Sequence, residues 1–130
     1  MIGLDTNVLV RYLTLDDPVQ SPAAIELIDS LSRDDPGFIP LIVMVELVWV
    51  LESSYRFQKD KVKSVLQALL RSRDLVIEKT DVVWQALRNF AVTNADFSDC
   101  LIERCSDAAQ CKYTATFDKK GVQAGMRLIR

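Results

Sequence analysis

The chain alternates short apolar runs with stretches of helical periodicity. Residues 1–4 are apolar and read as a strand; residues 6–13 follow as a short helix. Asp16-Asp17-Pro18 is a turn. Either Pro18 or Pro22 can open the next helix, since proline is tolerated in a first turn, and Ala24, Leu27, Ile28 and Leu31 form its apolar stripe. Beyond a loop at residues 33–37, residues 38–41 read as a second strand, weakened by Pro40. Residues 42–55 read as a helix, and residues 59–71 as an amphipathic one with Val62, Val65, Leu66, Leu69 and Leu70 on one face. Residues 75–78 are a third strand. Thr80 is the expected cap of a helix over 81–93, with Val83, Ala86, Leu87 and Phe90 inward. Asp96 or Ser98 caps a helix reaching Gln110, whose expected apolar face is Leu101, Ile102, Cys105, Ala108 and Ala109. Residues 113–116 and 126–129 complete the series as strands.

Strands alternating with helices predict an α/β fold with a mainly parallel sheet. No proline follows Pro40 and no glycine lies between Gly37 and Gly121, so no linker or repeat is visible, and residues 1–130 read as one domain. Residues 41–51 form the longest apolar run. It is too short to span a bilayer and is interrupted by Glu46. With no basic segment and apolar core at the N-terminus, a cytoplasmic location is expected.

Composition then narrows the chemistry. Hydrophobic residues make up 49% and charged residues 26%, the balance of a globular protein. The chain has no histidine, which removes Ser-His-Asp and Cys-His catalysis together with His-ligated metals. Cys100, Cys105 and Cys111 are odd in number and crowd one predicted helix, so they form no disulfide framework. The four glycines build no phosphate-cradling loop. A formal net charge of −2 gives no general attraction to nucleic acid, but a cation held by clustered acids reverses the field locally.

The carboxylates are therefore the candidates. Every residue from 41 to 51 is apolar except Glu46, so its carboxylate is expected to be at least partly buried and to need a partner. Asp5 follows the first strand and Asp118 the fourth, both at the carboxyl edge where ligands bind in open α/β sheets. Each is alternatively a helix cap or turn residue. Asp96 and Asp99 share a face near a helix start, where they also suit the positive helix end. Acids converging in one crevice repel without a cation, and an all-oxygen set suits Mg²⁺ or Mn²⁺.

Leu4-Asp5-Thr6-Asn7-Val8-Leu9-Val10, Val45-Glu46-Leu47-Val48-Trp49-Val50-Leu51, Asp96-Phe97-Ser98-Asp99-Cys100-Leu101-Ile102 and Thr116-Phe117-Asp118, in this order, resemble the PIN-domain proteins, in particular the VapC-type toxin ribonucleases of toxin–antitoxin pairs. The resemblance implies a three-layer fold, with a central parallel sheet of four or five strands, its first strand in the middle, and helices on both faces. It implies a Mg²⁺- or Mn²⁺-dependent endoribonuclease. Asp5, Glu46, Asp99 and Asp118 match the acidic quartet, and Asp96 a less constant acid that assists through water. Thr6, Asn7 and Thr116 match supporting polar positions. An RNA substrate, a cognate antitoxin and homodimerisation follow from the same likeness. Glu103 departs from the pattern, as either a fifth acid or a solvated one. Arg11, Lys119 and Lys120, with Arg56, Lys59 and Lys112, are candidates for an RNA-holding rim. The rival readings are a phosphatase or phosphotransferase with Asp5 as nucleophile, which Asn7 disfavours, and a non-catalytic interaction module.

Overall fold

Parallel strand pairing organises both halves of the chain in the computed structural model, which describes residues Met1–Arg130. Two compact units divide it, Met1–Glu78 and Lys79–Arg130. The first contains β1 (Ile2–Gly3), α1 (Thr6–Thr14), α2 (Gln20–Asp29), β2 (Gly37–Ile39), α3 (Leu41–Ser53), α4 (Lys59–Arg71) and β3 (Leu75–Ile77). Its sheet has the order β1-β2-β3, with Ile2 opposite Gly37 and Gly37 opposite Leu75. The middle strand of this sheet is therefore β2, and β1 lies at its edge. Gly37 makes that position possible. A Cβ there would lie 2.8 Å from Leu4 Cδ1 and 2.9 Å from Leu31 Cδ1, so those two leucines fill the space a side chain would take.

The second unit contains α5 (Thr80–Val92), α6 (Phe97–Ala108), β4 (Ala115–Thr116), α7 (Lys119–Gln123) and β5 (Arg127–Leu128). Its two strands are also parallel, Thr116 opposite Leu128. The strands thus form a sheet of three and a sheet of two. No helix is long and apolar enough to cross a membrane.

Helical periodicity sorts the buried faces. In α3, Val43, Met44, Leu47, Val48 and Leu51 are buried, while Ile42, Glu46 and Trp49 share the outward stripe that a period of 3.6 residues produces. Glu46 is consequently exposed rather than sunk in the core. An almost wholly apolar segment hid which face looked outward. In α6 the buried face is Phe97, Cys100 and Leu101; Ile102, Ala108 and Ala109 are exposed, contrary to the expected stripe. Phe97 sets this rotation by packing edge-on against Phe90 of α5, with ring centroids 5.9 Å apart.

Two starts also differ from expectation. Thr80 is the first residue of α5, and its cap position is Lys79, in the left-handed region at φ 53°. The five-residue α7 is an element the periodicity does not predict, being too short for a periodic signal. None of Cys100, Cys105 and Cys111 is in a disulfide.

A polar clip ties the C-terminal ends of α1 and α3 to the turn before α2. The Tyr55 hydroxyl donates to Asp16 Oδ2 at 2.7 Å, Thr14 Oγ1 to Asp16 Oδ1 at 2.7 Å, and Arg11 Nη1 to Asp16 Oδ1 at 3.1 Å. Arg11 Nε also donates to Gln20 Oε1 at 2.7 Å. The Tyr55 hydrogen bond first, then that of Thr14, holds the Asp16 carboxyl below the usual aspartate range. A lowered carboxyl stabilises the fold above its unfolded value, and this contribution disappears as pH falls through the folded value. Tyr55→Phe is expected to lower the thermal midpoint at neutral pH. The gap from the parent should narrow below the aspartate range; a gap independent of pH in a Tm–pH series would exclude this role.

Candidate active site

The same local construction appears once in each unit. A two-residue strand is followed by one residue and then an aspartate at the N-cap of a helix: β1, Leu4, Asp5, α1 in the first, and β4, Phe117, Asp118, α7 in the second. Asp5 is extended (φ −80°, ψ 159°), and its Oδ1 accepts the Thr6 amide at 2.8 Å. Asp118 Oδ1 accepts the Lys120 amide at 3.0 Å. Both carboxylates satisfy helix-start amides that would otherwise lack partners. Asp5 therefore caps its own helix. Each aspartate keeps Oδ2 without a protein hydrogen bond.

In the first unit, Thr6 joins two acids distant in sequence. Its amide is held by Asp5, and its hydroxyl donates to Glu46 Oε1 at 2.8 Å. Thr6 is 7% exposed, so this hydroxyl is one of few buried polar groups, and Glu46 satisfies it. Asn7 lies beside these residues on α1, exposed, at the rim of a groove of about 320 Å³ that Val8, Ala24, Leu27, Arg11 and Gln20 also line. Arg11 reaches this groove while engaged in the Asp16 clip.

In the second unit, Asp96 occupies the N-cap position of α6 without capping it, and Asp99 lies in the first turn. Asp99 is half-buried and accepts no hydrogen bond. Its pKa is raised, first by burial and then by the negative charges of Asp96 and Asp118, against the opposing effect of Lys120. Lys120 lies among these acids: its amide bonds Asp118 and its ammonium is 3.7 Å from Asp96. Thr116 Oγ1 accepts the Asp118 amide at 3.1 Å and so fixes the turn. Gly121 packs against this threonine closely enough that a Cβ would approach Oγ1 to 2.7 Å. Lys119 is exposed on α7.

Glu103 stands apart from these acids in its chemistry. Arg104 Nε and Nη2 donate to its two oxygens at 2.6 and 2.9 Å, a two-point pair that occupies the carboxylate. Sequence reasoning offered capping by Asp5 and Asp118 only as the alternative to a ligand role, and it missed the Gly121 contact. The available signal was the run Thr116-Phe117-Asp118 followed by Gly121, but a five-residue helix hid it.

The donors present are carboxylate oxygens without histidine or thiolate, the set suited to a hard cation such as Mg²⁺ or Mn²⁺. After burial, the negative charges of Asp96 and Asp118 contribute to the upward shift of Asp99, and a bound cation would offset that repulsion. In neither unit do three acidic, cysteine or histidine groups gather closely enough to grip an ion. Mg²⁺ commonly takes only one or two carboxylates and keeps several waters, so the donors fit.

The PIN domain family matches this sequence over residues 2–124. The chain belongs to the PIN-domain family. The match takes in residues of both units and all the acids above. The chain is also 23% identical over 128 residues to a protein named VapC ribonuclease from Aquifex aeolicus (strain VF5), covering 97% of this chain and 93% of that protein.

The Thr6–Glu46 bond gives a direct test of this PIN-domain geometry. Thr6→Val removes the hydroxyl at nearly constant volume and should cost about 1 kcal/mol in urea unfolding. Thr6→Ser should retain most of that stability. Equal midpoints for the valine variant and the parent would show that the bond contributes nothing.

Proposed function

We propose that this PIN-domain protein is a divalent-metal-dependent endoribonuclease and the toxin of a VapBC-type toxin–antitoxin pair. The observation that carries the reading is the family match through both units, with Asp5 and Asp118 each anchored by one oxygen and open at the other. The likeness to a protein named VapC ribonuclease supports RNA as substrate and an antitoxin as partner. Homodimerisation and a cytoplasmic location belong to the same proposal, as does one working domain built from residues 1–130.

In this reading Asp5, Glu46, Asp99 and Asp118 are the catalytic acids and would hold Mg²⁺ or Mn²⁺. The bound ion would supply Lewis acidity for activating water and for stabilising charge on the phosphoryl group. Asp5 and Asp118 offer Oδ2, Glu46 its second oxygen, and Asp99 an unbonded carboxylate. Asp96 assists through water. Thr6 orients the Asp5–Glu46 pair, Thr116 orients Asp118, and Asn7 contributes polarity beside them. Lys119, exposed on α7, would meet phosphate from solvent. Lys120 and Arg11 reach RNA only by loosening bonds they already make, to Asp96 and Asp16 respectively. No side chain acts as nucleophile.

Asp5→Asn separates this chemistry from folding, because asparagine caps a helix as well as aspartate does. The variant should match the parent in circular dichroism and Tm. Its Mn²⁺-dependent cleavage of purified total RNA should fall roughly 100-fold or more, the scale of several kcal/mol of lost metal-borne stabilisation. Chelation should abolish parental cleavage and added Mn²⁺ restore it. Cleavage that survives chelation or the substitution would end the reading.

A further inference from the structure

We propose that Phe117 is a base-stacking residue, holding an unpaired nucleobase of the substrate beside the phosphate on which the acids act. This rests on the ribonuclease reading above and names the part of the RNA that the site grips.

Phe117 is 78% exposed. Loose backbone does not explain this, because both neighbours are anchored. Thr116 is paired with Leu128 in the sheet and accepts the Asp118 amide; Asp118 in turn caps α7. The ring is thus held out in water at a fixed point, forgoing the roughly 1.5–3 kcal/mol that burying such a side chain yields.

Its surroundings decide what it suits. Trp49 is also exposed, at 67%, but shares its stripe of α3 with the exposed Ile42, an apolar surface of the kind that meets protein. Phe117 is flanked by Thr116 and Asp118 and followed by Lys119 and Lys120. The exposed Leu128 and Ile129 lie on the segment paired beside it, and two lysines follow it in the chain; an exposed aromatic ring next to cationic residues suits single-stranded nucleic acid, with stacking for the base and cations for the backbone. Phe117 immediately precedes Asp118, their Cα atoms about 3.8 Å apart. A base in a duplex is already stacked and paired, so the inference also specifies single-stranded or splayed-out RNA.

The test compares two fluorescently labelled strands, a single-stranded oligoribonucleotide of mixed sequence and the same strand carrying abasic sites throughout. Asp5→Asn protein, in which cleavage is suppressed, serves as parent. The parent should prefer the base-bearing strand. Adding Phe117→Ala should weaken its binding by about five-fold to a hundred-fold while leaving abasic-strand affinity unchanged. Phe117→Trp should keep the preference and Phe117→Leu lose it, with Tm unaltered in all three. Preservation of the preference in the alanine variant would overturn the stacking role alone. A shift in oligomeric state by sedimentation, with RNA binding intact, would reassign Phe117 to a protein contact and likewise overturn it. Binding of neither strand by the parent would count against the ribonuclease reading itself.

Discussion

Two backbone amides fix the position of two of this protein's acids. The amides of Thr6 and Lys120 are donors at helix starts that need acceptors, and the carboxylates of Asp5 and Asp118 supply them. The helix supports the acid, and the acid completes the helix. Only one oxygen of each is used in this way, which leaves the other without a protein hydrogen bond. Cap and ligand are compatible roles for one aspartate, although local sequence presents them as alternatives.

Counter-ions inside the protein are distributed unevenly. Glu103 is matched by a two-point pair with Arg104, and Asp16 by Tyr55, Thr14 and Arg11. Asp99 has no such partner, and its neighbours Asp96 and Asp118 raise its pKa, opposed by Lys120. Asp99 is thus an acid whose charge the fold disfavours, first by burial and then by neighbouring carboxylates, whereas Glu103 and Asp16 are held by partners.

Much of the fold was legible because long helices announce themselves. The Lys59–Arg71 helix was read to the residue, its stripe of Val62, Leu66 and Leu69 being unambiguous. Parallel pairing followed from alternation of elements. Rotation was harder to read. In α3 nearly every side chain is apolar, so sequence marked Glu46 as exceptional but not as outward. In α6 the deciding contact is Phe97 on Phe90, a tertiary fact that no periodicity in 101–109 carries. Short elements were least legible: α7 is scarcely more than one turn and is defined by its Asp118 cap. The acids themselves were legible as residue types at strand ends, whereas their hydrogen bonds, Thr6 to Glu46 above all, join positions 40 apart.

The pairing of β4 with β5 has a consequence for the order of synthesis. β4 leads directly into the Asp118 turn, and its partner is the last element in the chain, at Arg127–Leu128. During translation Asp5, Glu46, Asp96, Asp99 and Asp118 all leave the ribosome before that partner strand does. The turn that orients Asp118 therefore gains its sheet support only after these five acids have been made.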